Sequence, residues 1–222
     1  MEIYVDTANI EHIRHAAELG FITGVTTNPS LLAKEDPTVD IQQRILEIHK
    51  LIGGHLSVEV ISTKKDGMLR EAEEILKWFP EATIKIPMIA EGLGAVKELS
   101  RQNIPTNVTL IFSPLQALAA HNAGATYVSI FMGRLDDISQ SSSEVIYDVC
   151  EIWDVHDFES LFIAASIRHP MHIMDSAKAG ADIATVPYSV IMQMLKHPLT
   201  DKGLDAFLKD YDKMQAEKQK IK

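Results

Sequence analysis

ATIKIP, residues 82–87, is a short β-rich run with a single charged residue near its middle. Side chains of a strand alternate between faces, so Ile84 and Ile86 share one face while Thr83, Lys85 and Pro87 share the other. A strand that is apolar on one side and carries a lysine on the other suits a closed parallel barrel, where one face packs on helices and the other lines the interior. That parity puts Lys85 inside. Taking an ammonium out of water costs roughly several kcal/mol unless it is paired or neutralised, and burial favours the neutral amine, a nucleophile toward carbonyls. The competing reading is a structural ion pair of Lys85 with Asp6 or Glu59 and no chemistry.

Outward from this run, seven more β-rich apolar segments recur along the chain: IYVD near 3–6, GVTT near 24–27, LSVEVI at 56–61, TNVTLIF at 106–112, TYVSIF at 126–131, LFIAAS at 161–166 and IATVP at 183–187. Between them lie stretches with apolar residues at three- and four-residue spacing, among them EHIRHAAEL, QQRILEIHKLI, MLREAEEILKWF, GLGAVKELSRQ and PLQALAAHNA. Eight βα units predict an α/β protein, a single (β/α)8 TIM barrel over residues 1–222, in preference to an open doubly wound sheet. Beyond the eighth strand the pattern predicts a short helix near 188–195, the segment KHPLTDKG, and an additional C-terminal helix over about 203–216. Leu204, Phe207, Leu208, Tyr211 and Met214 make one stripe on that last helix, which must cover this barrel or a neighbouring subunit.

The parity test on LSVEVI turns Glu59 inward, and on TNVTLIF it turns Asn107 and Thr109 inward. Asp6 closes the first strand. A lysine, two carboxylates, an amide and a hydroxyl thus converge from four strands, mostly near their C-terminal ends, where barrel active sites lie. Asp6 has a second reading as N-cap of the helix that begins near Asn9.

The 31 acidic and 21 basic residues leave a formal charge of −10, which disfavours a polyanion, so no nucleic-acid partner is expected. Phosphorylated metabolites stay possible, because one or two arginines at a helix N-terminus hold a phosphate locally. Cys150 is the only cysteine, which leaves no intrachain disulfide and fits a reducing cytosol. It reads as an ordinary helix residue in VIYDVCEIW. Neither a signal peptide nor an apolar run of transmembrane length is evident, so the expected location is cytoplasmic, away from membranes. His12 with His15 and His169 with His172 have spacings that can hold zinc, but neither pair has an evident third ligand and both read as solvated helix faces; no metal site is expected.

VDTAN at 5–9, GVTTNPSL at 24–31, KIP at 85–87, TNVTLIFS at 106–113, GRLDD at 133–137 and AASIRHP at 164–170, in this order, resemble the hallmarks of the transaldolase family in its small-subunit class, and the likeness covers essentially the whole chain. The resemblance implies an enzyme of the non-oxidative pentose phosphate pathway. It would transfer a dihydroxyacetone unit from sedoheptulose 7-phosphate or fructose 6-phosphate to erythrose 4-phosphate or glyceraldehyde 3-phosphate, without a cofactor. It further implies that Lys85 forms a Schiff base with the donor's C2 carbonyl. Asp6 would take the proton of the C4 hydroxyl, and Glu59 and Thr109 would hold the water that shuttles protons. Asn28, Asn107 and Ser129 would bind the hydroxyls of the three-carbon unit, with Thr26 and Phe131 lining that pocket. Arg134, Ser166 and Arg168 resemble the phosphate anchor, for which arginine supplies bidentate charged donors. Away from the resemblance, Arg134 can instead bridge to Asp136 or Asp137, and Arg168 can simply be exposed.

Two positions depart from the family pattern. Ile130 stands where many relatives carry proline, and Ser113 is variable; both are expected to reshape the pocket wall beside Phe131. The nearest rival is fructose-6-phosphate aldolase, which typically has glutamine and tyrosine where this chain has Glu59 and Phe131. A non-catalytic sugar-phosphate-binding barrel is more remote, since nucleophile and base are both present, and a metal-dependent aldolase more remote still. Relatives of this size form pentamers and decamers, so a homo-oligomer is implied, joined through the C-terminal helix.

Overall fold

The computed structural model describes residues 1–35 and 38–220, and within them eight parallel strands close into a barrel in chain order. They are β1 (Glu2–Asp6), β2 (Ile22–Thr26), β3 (His55–Glu59), β4 (Thr83–Pro87), β5 (Thr106–Ile111), β6 (Tyr127–Phe131), β7 (Leu161–Ala165) and β8 (Ile183–Val186). Pairing of β1 with β8, from Glu2 opposite Ile183 to Val5 opposite Val186, closes the ring. Each strand coincides with one of the eight β-rich runs. The open-sheet alternative is excluded, because no strand is left with a free edge.

The helices of the outer ring are α1 (Ile10–Glu18), α2 (Pro29–Leu32), α3 (Ile41–Ile52), α4 (Lys65–Trp78), α5 (Ala90–Arg101), α6 (Pro114–Asn122), α7 (Met132–Asp137), α8 (Ser142–His156), α9 (Pro170–Ala179) and α10 (Tyr188–Met194). Their starts are written locally. The side chains of Asn9, Asp40, Ser113 and Ser141 accept backbone N–H groups of the first turns of α1, α3, α6 and α8. Ile84, Ile86, Val108, Val128, Ile130 and Val186 are fully buried between strands and helices, as strand alternation requires.

Inside the barrel the filling changes along the axis. Tyr4, Ile163 and Ile183, with Tyr127 against them, pack the end where the strands begin. Two residues further along the same strands stand Asp6, Ala165, Thr185 and Ser129. The apolar layer thus floors a polar one and keeps the chemistry at the C-terminal mouth. On β5 the alternation holds through Thr109 and breaks at Leu110, whose backbone is left-handed at φ 62°; the register slips there, and Ile111 takes the place opposite Ile130.

Helix α11 (Pro198–Lys220) starts earlier than the 203 expected from sequence. Proline is tolerated in a first turn because its missing N–H has no partner there anyway, and the His197 ring accepts the Leu199 N–H at 3.1 Å, so PLTDKG continues as helix. Gly203 lies inside it with open space around its Cα. Leu204, Phe207, Leu208, Tyr211 and Met214 are all exposed, Phe207 by 75%. The stripe covers nothing on its own barrel. Among the described residues, no helix is long and apolar enough to cross a membrane.

Candidate active site

Lys85 is buried in the middle of β4, between Glu59 of β3 and Asn107 of β5 in the strand register. Its Nζ lies 3.1 Å from Glu59 Oε2 and donates to the Thr27 carbonyl oxygen at 3.1 Å. Both proposed fates of the lysine therefore begin from the same geometry. The ion pair exists, and its carboxylate is also placed to take a proton from the amine. What separates the two is whether the lysine meets a substrate, and Lys85 lines a cavity of about 270 Å³ at the mouth.

Every site residue read from the sequence except Glu59 lines this cavity. Glu59 opens instead to a neighbouring pocket of about 380 Å³ that shares Asn28 with the first, so it reaches the cavity through Lys85. Asp6 sits opposite Thr26 in the register and accepts its hydroxyl at 2.8 Å. Thr26 also contacts the Thr185 hydroxyl closely. Asn9, not Asp6, caps α1, with Oδ1 accepting the Glu11 and His12 N–H groups at 3.1 Å. Asp6 is thereby left to the site. Enclosure by protein pushes its carboxyl above the ordinary aspartate range, opposed by the Thr26 hydrogen bond and by the charges of Lys85 and Lys34. A carboxylate held this way is a better proton acceptor than a solvated one.

Asn28 caps α2 through Oδ1, accepting Leu31 N–H at 2.9 Å, which fixes the amide at the edge of the cavity. Ser129 donates to Asn107 Oδ1 at 2.7 Å, and both are buried. Thr109 Oγ1 is buried with no hydrogen-bond partner among the described residues. An unpaired buried hydroxyl costs about 1–3 kcal/mol, which is tolerable where a water or substrate completes it. Phe131 closes one wall, edge-on to Phe112 at 5.8 Å, with the Arg134 guanidinium 5.1 Å above its ring. Ser113 and Ile130 do not shape that wall: Ser113 caps α6, and Ile130 is buried on the helix-facing side of β6.

At the far side Arg134, Ser166 and Arg168 come together. Arg134 makes no bridge to Asp136 or Asp137. It is Arg168 that grips Asp137, with Nη1 and Nη2 at 2.8 and 2.6 Å from the two carboxylate oxygens. Gly133 lets α7 approach this loop. A Cβ there would sit 2.4 Å from the Ser166 carbonyl oxygen and 2.6 Å from Arg168 Nε, and Ser166 itself is left-handed at φ 57°. Close backbone approach, not a turn, is what the glycine provides.

The loop is braced from behind by His172. Its Nδ1 accepts the Arg168 backbone N–H at 3.3 Å, and its Nε2 faces Asp136 Oδ2 at 2.7 Å. Asp136, His169 and His172 thus bring three possible metal donors together, including the third that the sequence did not reveal. The hydrogen bonds place the imidazole proton on Nε2, toward Asp136, so a metal there would have to displace it while Nδ1 still faces a donor. The geometry suits a brace. His12 and His15 are not simply solvated either, since the first stacks on the Tyr188 ring at 4.2 Å and the second bonds its hydroxyl at 2.6 Å.

Ser30, Leu31, Lys34, Ala165 and Thr185 also line the cavity without having been singled out from the sequence, and Ser57 stands buried behind Asn107. Thr185 and Ser57 follow from the same parity test, applied to IATVP and LSVEVI. Lys34 lies beyond α2, where no periodicity signals orientation.

A family model described as Transaldolase/Fructose-6-phosphate aldolase matches residues 3–222. A Clostridium botulinum (strain Eklund 17B / Type B) protein named "Probable transaldolase" is 57% identical over 214 residues, covering 96% of this chain and 99% of the relative. One of the same name from Geobacillus thermodenitrificans (strain NG80-2) is 53% identical over 215 residues, covering 97% and 100%. Among solved structures, thiamine phosphate pyrophosphorylase from Pyrococcus furiosus superposes with a TM-score of 0.60 at 18% identity, covering 83% of this chain and 85% of that one, a likeness of fold alone.

Proposed function

The chain belongs to the transaldolase/fructose-6-phosphate aldolase family and is an enzyme of it, and from that premise we propose that it transfers a dihydroxyacetone unit between sugar phosphates through a Schiff base on Lys85. The donor is sedoheptulose 7-phosphate or fructose 6-phosphate, and the acceptor is erythrose 4-phosphate or glyceraldehyde 3-phosphate. The observation that carries the reading is the amine of Lys85, buried beside Glu59 and yet lining the cavity that Asp6 also lines.

In this scheme Lys85 adds to the donor's C2 carbonyl, and loss of water gives a protonated imine. Glu59 and the unpaired Thr109 hydroxyl handle the proton traffic through a water. Asp6 takes the C4 hydroxyl proton as the C3–C4 bond breaks; the electron pair enters the imine and leaves an enamine while the aldose phosphate departs. The enamine then attacks the acceptor's aldehyde carbon, Asp6 returns its proton to the new hydroxyl, and water hydrolyses the imine. Asn28, Asn107 and Ser129 hold the hydroxyls of the retained unit, with Thr26 setting Asp6. Arg134, Ser166 and Arg168 take the phosphate.

Phe131 favours transfer over release. A phenyl ring has no hydroxyl to deliver a proton to the enamine carbon, so the intermediate waits for an acceptor. We place the whole of residues 1–222 in one catalytic domain working in the cytoplasm, within the non-oxidative pentose phosphate pathway, and joined to other copies through the apolar stripe of α11 in a pentamer or decamer. The test is borohydride reduction in the presence of fructose 6-phosphate, followed by mass mapping. A three-carbon adduct on Lys85, absent from Lys85→Met, is the expected result. A label on another lysine, or faster net cleavage of fructose 6-phosphate than transfer to erythrose 4-phosphate, would overturn the assignment as a transaldolase.

A further inference from the structure

A line of hydrogen bonds runs from the cavity back through the barrel to the end where the strands begin. Ser129 Oγ donates to Asn107 Oδ1 at 2.7 Å, Asn107 Nδ2 donates to Ser57 Oγ at 3.1 Å, and Ser57 Oγ lies 2.7 Å from His55 Nε2. Ser57 and Asn107 are completely buried, and Ser129 nearly so. Ser57, the inner link of the line, is shut off from the cavity by Asn107, so solvent does not repair a misdirected bond there. The direction of the line must therefore be set by whatever stands at its end.

We propose that His55 is a positioning residue, which acts through Ser57 and Asn107 to fix Ser129 as a hydrogen-bond acceptor toward the substrate's hydroxyls. This rests on the reading that Asn107 and Ser129 hold the retained three-carbon unit. A serine hydroxyl has one proton. When His55 offers an unprotonated Nε2, Ser57 gives its proton there and presents only lone pairs to Asn107. The amide must then turn its NH2 toward Ser57 and its oxygen toward Ser129. That oxygen takes the single Ser129 proton, so Ser129 meets the cavity with lone pairs and receives a hydroxyl from the sugar. If His55 instead offered an N–H, Ser57 could turn its proton toward Asn107, the amide could flip, and Ser129 could donate. The imidazole at one end thus sets the polarity of the bond at the other.

The surroundings of His55 keep its ring neutral, and a neutral imidazole carries one N–H, so Nε2 accepts from Ser57 when that proton sits on Nδ1. The ring stacks on Tyr4 at 5.3 Å and meets Tyr127 at 4.4 Å. Burial between them pushes the imidazole pKa down to about 4, against the weaker opposing pull of Glu2. Both tyrosines are themselves held neutral, their pKa values raised chiefly by burial. Packing alone would be served as well by phenylalanine, which offers no acceptor.

The experiment compares His55→Phe, His55→Gln and Ser57→Ala with the full-length wild type, reading kcat and KM for transfer from fructose 6-phosphate alongside the melting temperature. His55→Phe is expected to lower kcat/KM by about tenfold or more, since a buried chain that has lost its terminus leaves a polar group misdirected. Its melting temperature should fall by several degrees, at about 2–4 °C for each kcal/mol lost, with the fold retained. His55→Gln, whose amide oxygen can accept, should recover most of the loss, and adding His55→Phe to Ser57→Ala should have no further effect. A His55→Phe enzyme that keeps more than half of kcat/KM would overturn the proposal, as would a glutamine variant no better than phenylalanine. A direct reading needs no variant: nitrogen-15 NMR of the wild type at neutral pH should show His55 Nε2 unprotonated, and a protonated Nε2 refutes the proposal. Failure of wild-type Lys85 to trap the sugar would strike the functional reading itself; trapping with an indifferent His55 would strike only this one.

Discussion

A methyl group at Gly133 should separate phosphate binding from carbon chemistry. Placed on the α7 backbone, the new carbon would lie 2.4 Å from the Ser166 carbonyl oxygen and 2.6 and 2.7 Å from Arg168 Nε and Cγ. Carbon contacts are comfortable near 3.5–4.0 Å, so each falls short by about 1 Å. The arginine side chain can swing away, but the carbonyl cannot readily do so. It accepts the Gly133 N–H at 3.0 Å and belongs to a residue already in left-handed geometry. Overpacking of this kind costs about 1–3 kcal/mol of stability. Moving the guanidinium off its phosphate position forfeits a charged hydrogen bond worth about 1.5–3 kcal/mol, or roughly 10- to 150-fold in affinity. Gly133→Ala should therefore raise KM for fructose 6-phosphate by about that factor while leaving turnover of an unphosphorylated donor such as fructose within about threefold. Steady-state kinetics on both donors measure it. Equal losses on the two, or a KM within twofold of wild type, would refute the phosphate role given to this corner.

Burial raises the Asp6 carboxyl, so the folded state binds its proton more tightly than the unfolded chain. Stability from this group is highest below the unfolded pKa of about 3.9 and declines as pH rises through the raised folded value. Asp6→Asn should accordingly melt higher than wild type at pH 7.5, lose that advantage below about pH 4, and be inactive in transfer; a melting difference independent of pH would contradict it. Removal of α11 beyond Lys202 should shrink the assembly seen by light scattering, because it deletes the exposed stripe from Leu204 to Met214. An intact chain that is already monomeric refutes that role for the helix.

The barrel was legible because its signal is local. Each strand is a short apolar run, and a polar residue inside such a run, as at Lys85, Glu59, Asn107 and Thr109, declares its face by alternation. Thr185 and Ser57 were equally readable by that rule. The phosphate corner was legible only as a list of residues. Which carboxylate pairs with which arginine depends on how α7 meets the loop before α9, a contact about thirty residues apart in sequence that no periodicity encodes. The same holds for Asp136 behind His172. The start of α11 is masked in the sequence by the proline and glycine of PLTDKG, although a proline in the first turn and an unhindered glycine are both compatible with helix.

The grip of Arg168 on Asp137 makes anchoring an exchange of partners, not a simple addition. Before any sugar arrives the guanidinium already has a monoanion on its two terminal nitrogens and is held in one orientation. A visitor with a single negative charge offers Arg168 nothing better than it has. A phosphate ester near pH 7 carries close to two charges and three acceptor oxygens, and Arg134, 5.1 Å over the Phe131 ring, has no carboxylate partner among the described residues. In the phosphate site proposed above, Asp137 would act as a built-in competitor for the Arg168 guanidinium, which a dianionic phosphate would displace more readily than a monoanion. When the product leaves, the same carboxylate re-forms its pair and returns part of the cost of letting go.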